Sequence, residues 1–133
     1  MCGIAGFFGA RIVAPETLAA MLARLAPRGP DAQHVARFDS ALAPTEAPAP
    51  NALLHARLSI IDPRPEADQP MANAAGDVWI CYNGEVYGWQ DDARRLRELG
   101  YEFRTRSDTE FILHAYEAWG DDMLVRLRGM FAL

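Results

Sequence analysis

Two short stretches of this sequence combine residue types that could carry out nucleophilic chemistry. Cys2 directly follows Met1, and Asn83-Gly84 lies inside the apolar and aromatic run DVWICYNGEVY at 77–87. Aminopeptidases tend to remove Met1 when the second residue is small, and Cys2 would then carry both a thiol and a free α-amine. An α-amine has a pKa of about 8, so part of it is neutral at cellular pH and can accept the thiol proton without a second side chain. The alternative is an ordinary small apolar cysteine behind a retained methionine.

Two charged residues could bind a ligand with opposite charges at its two ends. Arg57 opens the stretch RLSIID, and the planar guanidinium of arginine can hold a carboxylate through two hydrogen bonds. Asp108 lies within SDTE at 107–110 and could accept from an ammonium group. Each feature also has a plainer explanation, because Arg57 could be a surface charge, SDTE a helix-capping box and Asn83-Gly84 a hairpin turn.

Length and composition exclude several classes of function. The chain has 133 residues, which suits one domain, and 50% of them are hydrophobic. A formal net charge of -5 and the lack of a basic run argue against binding of nucleic acid. Every positively charged residue is arginine, so a catalytic lysine is excluded. No apolar stretch is long enough to cross a membrane, and the N-terminal residues lack the pattern of a signal peptide.

The cysteines and histidines predict neither a disulfide framework nor a metal site. Two cysteines, Cys2 and Cys81, favour a reduced, cytoplasmic protein. Cys81 alternates with apolar neighbours and is interpreted as a packing residue. His34, His55 and His114 are scattered without metal-ligand spacing, and His55 is interpreted as structural.

Periodicity and turn signals predict an α+β fold, with strands in pairs and helices between the pairs. Pro15 starts a helix of about three turns that ends at Pro27, and Gly100 and Gly120 end two later helices. A loop rich in alanine and proline is predicted at 40–51, and a short helix at 121–127. Strands are predicted at 2–8, 33–38, 53–62, 101–106 and from 128 onward, with two more inside 77–87 around an Asn83-Gly84 turn.

Seven short motifs occur in one order along the chain: MCGIAGFFG, RGPD, RLSIID, QPM, YNGEVY, SDTE and LRGMF. Together they resemble the glutaminase domain of the bacterial, glutamine-hydrolysing asparagine synthetases. That domain is a class II glutamine amidotransferase of the N-terminal-nucleophile hydrolase superfamily. The resemblance covers the chain apart from the loop at 39–52. It implies two antiparallel sheets layered between helices, an αββα arrangement.

The resemblance also implies a role for each candidate residue. Cys2 would attack the side-chain carboxamide of L-glutamine and form a glutamyl thioester, while the Asn83 side chain and the Gly84 N–H would form the oxyanion hole. Arg57 would bind the α-carboxylate and Asp108 the α-ammonium. The remaining pocket residues would be Leu58, Ser59, Ile60, Ile61 and Glu85, with Arg28 and Asp31 of RGPD in a supporting role.

The sequence departs from the family pattern at two places. Gly88 stands where many relatives carry an asparagine, and the chain stops at LRGMFAL, where the family's sheet continues and an ATP-using synthetase domain follows. We therefore expect 1–133 to form a C-terminally truncated amidotransferase domain that performs at most the glutaminase half-reaction. No cofactor or metal is expected in this chain, since ATP and magnesium belong to the synthetase domain.

Three interpretations stay open from the sequence. The first is the glutaminase part of an asparagine synthetase in asparagine biosynthesis, supplying ammonia to activated aspartate on a synthetase domain or a separate synthetase chain. The second is a non-catalytic remnant or module that binds glutamine. The third is an amidotransferase with a different ammonia acceptor. Formation of a homodimer is also left open, and no membrane partner is expected.

Overall fold

The computed structural model describes residues 2–133, whose ten regular helices and strands follow one another without repeats. In chain order they are β1 (Gly3–Phe8), α1 (Pro15–Leu25), β2 (Ala32–Phe38), β3 (Asn51–Arg57), β4 (Met71–Ala72), β5 (Trp79–Ile80), β6 (Asn83–Val86), α2 (Gln90–Glu98), α3 (Asp108–Trp119) and β7 (Gly129–Ala132). Short 3-10 helices lie at Ala26–Arg28, Pro65–Ala67 and Gly120–Arg126.

The largest sheet has three antiparallel strands in the order β1-β3-β2. Helix α1 covers one face of this sheet, because its apolar residues recur at helical spacing and bury Leu18 against Ala52 and Leu54 of the central strand. Gly3 pairs with Ala56, so the residue before β1 comes to lie beside the end of β3. This register places Cys2 next to the start of RLSIID.

The second half of the chain packs helices α2 and α3 against two small antiparallel sheets, β4-β5 and β6-β7. The core here is built around Phe111 and Ile112 of α3, with Leu96 of α2. Phe111 stacks on Trp89 with ring centroids 5.3 Å apart. Tyr82, the residue before β6, belongs to the same core. The functional motifs YNGEVY and SDTE are therefore held against one packed cluster.

The α+β class, the antiparallel pairing and the three main helices confirm the sequence predictions, and the arrangement is compatible with an αββα fold. The strand predicted at 53–62 starts earlier, at Asn51, and ends at Arg57. It ends there because the next N–H groups are taken by side chains. Leu58 N–H donates to Cys2 Sγ, and Ser59 N–H donates to Asp31.

Two local predictions are wrong. Asn83-Gly84 is not a hairpin turn, because β6 begins at Asn83 and pairs with the distant β7, while β5 pairs with β4. The segment 101–106 is not a strand, because side-chain carboxylates satisfy its backbone. Arg104 and Thr105 N–H donate to Glu110, and Arg106 N–H donates to Asp62.

The predicted capping box at SDTE forms only one of its two bonds. The Ser107 hydroxyl accepts from Glu110 N–H at 3.3 Å and caps α3. The Glu110 carboxylate turns instead to Arg104 N–H at 2.9 Å, and to the N–H and hydroxyl of Thr105, both at 2.7 Å. Glu110 thereby fixes the segment that leads into α3.

We expect Glu110→Gln to lower the free energy of unfolding at pH 7 by roughly 2 kcal/mol, because an amide cannot accept all of these bonds. Burial alone would raise the pKa of Glu110, but the His114 ring 3.8 Å away and the bonds from Arg104 and Thr105 outweigh it and lower the pKa from 4.5 to about 2. A lowered pKa stabilises the fold above about pH 4.5, and this contribution is lost as the pH falls toward about 2.

Urea unfolding at pH 7 and pH 3 measures this contribution. The acid-dependent loss should be smaller in Glu110→Gln than in the parent. Glu98→Gln, at an exposed position of α2, is the matched control and should change little at either pH. If the free energy of unfolding fell equally between pH 7 and pH 3 in the parent and in Glu110→Gln, Glu110 would not be the source of this acid dependence.

Candidate active site

A cavity of about 200 Å³ opens where the starts of β1 and β6, the end of β3 and the first turn of α3 meet. Every candidate residue from the sequence lines it except Ser59, whose N–H is turned to Asp31. The candidates in its wall are Cys2, Arg57, Leu58, Ile60, Ile61, Asn83, Gly84, Glu85 and Asp108. Residues far apart in the sequence therefore share one enclosure.

The Cys2 sulfur is held at the end of the central strand. Leu58 N–H donates to Sγ at 3.3 Å, and the thiol reaches the Leu58 carbonyl at 3.8 Å. Arg28 Nε donates to the Cys2 carbonyl at 3.0 Å. A backbone N–H directed at the sulfur can stabilise negative charge that develops there.

The RGPD motif clamps this end of the sheet. A Cβ atom at Gly29 would lie 2.1 Å from the Ala56 carbonyl oxygen, so only glycine permits this close approach. Asp31 N–H donates to the Arg57 carbonyl at 3.0 Å, and the Asp31 carboxylate accepts from Ser59 N–H at 2.7 Å. The motif thus supports the site without lining the cavity.

Strand β6 turns one backbone edge to β7 and the other to the cavity. Just beyond its ladder with β7, Tyr87 N–H donates to the Arg128 carbonyl at 2.7 Å. Bonded and non-bonded residues alternate in an antiparallel pair, so the N–H groups of Gly84 and Val86 point away from β7. Val86 N–H indeed reaches Asp108 Oδ2 at 3.0 Å. The Gly84 N–H is therefore a backbone donor on the cavity side.

The Asn83 carboxamide supplies a second donor beside it. Its oxygen Oδ1 is buried and has no hydrogen-bond partner in the part of the chain that is described. No hydrogen bond among residues 2–133 uses its Nδ2 group. At Gly84, a Cβ atom would lie 2.4 Å from the Met130 carbonyl oxygen, which explains the glycine at this crossing with β7. Two adjacent residues that line the cavity thus each have a donor without a protein acceptor among residues 2–133.

Arg57 is buried, and most of its donors already have protein acceptors. Nη1 donates to the Arg64 carbonyl at 3.0 Å and to Asp68 Oδ1 at 2.5 Å, and Nη2 donates to the Asp62 carbonyl. These bonds use three of the five N–H groups of a guanidinium. The other two have no acceptor among residues 2–133, and Arg57 lines the cavity, so donors are left there for a ligand.

Only one of the two carboxylate oxygens of Asp108 accepts hydrogen bonds from residues 2–133. Oδ2 accepts from the Tyr82 hydroxyl at 2.7 Å and from Val86 N–H at 3.0 Å. No hydrogen bond within the described part of the chain goes to Oδ1. A carboxylate oxygen is therefore available in the cavity wall for a positively charged group.

Three side chains that were not candidates from the sequence, Gln69, Tyr82 and His55, hold the segment that leads into β6 in place. Gln69 Oε1 accepts from Tyr82 N–H at 2.6 Å, and its Nε2 donates to Thr109 Oγ1 at 3.1 Å. His55 Nε2 lies 3.2 Å from the Tyr82 carbonyl, and burial lowers the pKa of His55 to about 4, which keeps the ring neutral as a donor. Membership of QPM and YNGEVY was the only sequence signal for Gln69 and Tyr82.

The two thiols differ in environment, so we expect iodoacetamide at pH 8 to alkylate Cys2 and spare Cys81. Burial, and to a smaller degree the nearby Cys2, raise the pKa of Cys81 to about 12, and its thiol donates to the Leu54 carbonyl at 3.2 Å. Peptide mass spectrometry reads the labelled positions, and unfolding in urea should expose Cys81 as an internal control. Labelling of both cysteines at similar rates in the folded protein would contradict this prediction.

Residues 2–133 contain no group of three or more histidine, cysteine, aspartate or glutamate side chains arranged to hold a metal ion. None of their helices has the length and apolar character needed to cross a bilayer.

Comparison with known proteins matches residues 1–133 to the family described as "Glutamine amidotransferase domain". The chain is similar to asparagine synthetase [glutamine-hydrolyzing] 3 of Bacillus subtilis (strain 168), with 36% identity over 137 residues, 99% of this chain and 20% of that protein. It is 34% identical over 135 residues to the asparagine synthetase [glutamine-hydrolyzing] of Asparagus officinalis, covering 99% of this chain and 21% of the relative. The chain thus spans about a fifth of the length of these relatives.

Proposed function

This chain belongs to the glutamine amidotransferase domain family, and from that premise we propose that it hydrolyses L-glutamine to glutamate and ammonia. The ammonia would serve an acceptor such as activated aspartate on a synthetase domain, in line with the names of the two relatives. This part of the proposal concerns the longer assembly, since the chain spans only about a fifth of those proteins.

One observation supports the proposal above all others: a single cavity holds a sulfur, two donors, a cation and a carboxylate. Arg57 and Asp108 complement the two charges of an amino-acid backbone. They would select a free amino acid over a glutamine side chain within a peptide, which lacks both charges. The Asn83 and Gly84 donors would then meet the carboxamide at the other end of the ligand.

The chemistry follows from these positions once Met1 has been removed. Cys2 Sγ attacks the carboxamide carbon while the thiol proton passes to the α-amine of Cys2. The carbonyl oxygen gains negative charge, which the Asn83 Nδ2 group and the Gly84 N–H stabilise. The intermediate collapses, and ammonia leaves with the proton that the α-amine returns to it.

The product of this first half is a γ-glutamyl thioester on Cys2. Water attacks its carbonyl carbon with the α-amine again accepting a proton, and the same two donors stabilise the second oxyanion. Glutamate leaves and the thiol is restored. Leu58 N–H, 3.3 Å from Sγ, stabilises the sulfur each time it carries negative charge.

Glutamate and ammonia released from L-glutamine test the proposal, with intact mass showing whether Met1 is gone. We expect equal amounts of both products, and no release from L-asparagine, whose carboxamide is one methylene closer to the charged groups. Calorimetric binding of L-glutamine without any product release would contradict hydrolysis and favour a glutamine-binding module. Adding the synthetase domain with aspartate and ATP tests the acceptor, because asparagine should form only with active glutaminase.

A further inference from the structure

Tyr82 directly precedes the proposed oxyanion residue Asn83, and its side chain reaches Asp108, the proposed partner of the α-ammonium group. The residue is 2% exposed and packs in the core with Phe111 and Ile112. Its hydroxyl donates to Asp108 Oδ2 at 2.7 Å. One residue therefore connects two of the proposed glutamine-binding residues, Asn83 through the chain and Asp108 through a hydrogen bond.

All polar groups of Tyr82 are bonded within the protein. Its N–H donates to Gln69 Oε1 at 2.6 Å, and its carbonyl oxygen lies 3.2 Å from His55 Nε2. Burial, followed by the bond to Asp108, raises the pKa of the Tyr82 hydroxyl, so the group keeps its proton and acts as a donor. The ring cannot rotate away from Asp108 without losing its place in the core.

The bond from Tyr82 decides which oxygen of Asp108 is free. Oδ2 also accepts from Val86 N–H at 3.0 Å, so both donors meet at one oxygen. The carboxylate is then fixed in rotation, and Oδ1 remains for the ligand. Without the hydroxyl, Val86 N–H alone would hold the carboxylate, which could turn about its Cβ–Cγ bond.

We propose that the Tyr82 hydroxyl is a positioning group that sets specificity for the α-ammonium of a free amino acid by holding Asp108 Oδ1 toward the cavity. The inference rests on the proposed hydrolysis of L-glutamine. It adds a determinant of ligand choice that touches no substrate atom itself. Because the same residue leads into Asn83, it also ties recognition of the ammonium group to the position of the oxyanion hole.

The test compares L-glutamine with glutaramic acid, the analogue that has hydrogen in place of the α-amino group. In Tyr82→Phe we expect KM for L-glutamine to rise about tenfold with little change in kcat, because a fixed charge-assisted contact becomes loose. For glutaramic acid, kcat/KM should stay within about twofold of the parent value. Tyr116→Phe, which removes a hydroxyl from a 43% exposed residue outside the cavity, is the matched control.

A double-mutant cycle with Asp108→Asn separates positioning from a general structural effect. Once the carboxylate is neutral, Tyr82→Phe should no longer change the preference for L-glutamine over glutaramic acid. Equal losses for both substrates in Tyr82→Phe, or no loss for either, would overturn the inference while leaving hydrolysis intact. Absence of any hydrolysis by the parent protein would instead overturn the proposed function, and this inference with it.

Discussion

We expect Cys2→Ala to abolish glutamate release from L-glutamine, with a loss in kcat of at least about 10⁴-fold, the scale on which removal of a nucleophile acts in other enzymes. The reason is that, among residues 2–133, no other nucleophile of comparable strength lines the cavity. Cys81 is buried beside the Leu54 carbonyl, outside the set of residues that lines the cavity. Glutamate release at several enzyme concentrations measures the loss.

The matched control is Cys81→Ala, which removes the other thiol and should retain turnover. Cys2→Ala should also still bind L-glutamine in a calorimetric titration, because Arg57 and Asp108 remain in place. Residual turnover near the parent value in Cys2→Ala would show that the reaction uses another nucleophile. Loss of turnover in Cys81→Ala with an intact fold would show that the two thiols have been assigned the wrong way round.

Asn83→Ala should lower kcat for L-glutamine by about 10²–10³-fold and change KM little, because the proposed oxyanion donor matters most once the oxyanion exists. The same variant should be no less stable than the parent. Among residues 2–133 the Asn83 side chain makes no hydrogen bond, and its buried Oδ1 has no partner. Removing an unsatisfied buried oxygen costs the fold nothing in hydrogen bonding.

Steady-state kinetics and thermal unfolding of Asn83→Ala, measured side by side, test this assignment. A fall in kcat at unchanged melting temperature is the expected combination. A change confined to KM would place Asn83 in ground-state binding instead. A fall in activity that tracks a fall in melting temperature would make the residue structural.

Elements with strong local signals could be predicted from the sequence. Helix α1 follows Pro15 and carries its apolar residues at helical spacing, and Ser107 caps α3 as SDTE indicates. The failures occur where distant partners override a local pattern. Asn83-Gly84 has the composition of a turn, but pairing with β7, more than forty residues later, makes it a strand. At 101–106, the carboxylates of Glu110 and Asp62 accept backbone N–H bonds that a neighbouring strand would otherwise accept.

The candidate site, like the fold, could be predicted from the sequence in its local motifs but not in its distant contacts. The order of the motifs indicated which residues gather in one place, and the cavity contains them apart from Ser59. The sequence could not show that three of the Arg57 N–H groups already donate hydrogen bonds to the loop that follows it. Nor could it show that Tyr82 crosses from the Asn83 strand to Asp108, because this contact depends on how α3 packs.

Intact mass spectrometry of protein quenched during turnover of L-glutamine tests the central claim most directly. We expect a chain that lacks Met1 and carries one glutamyl group, which fragmentation places on Cys2. Fully active protein that retains Met1, or a glutamyl group on any other residue, would contradict it.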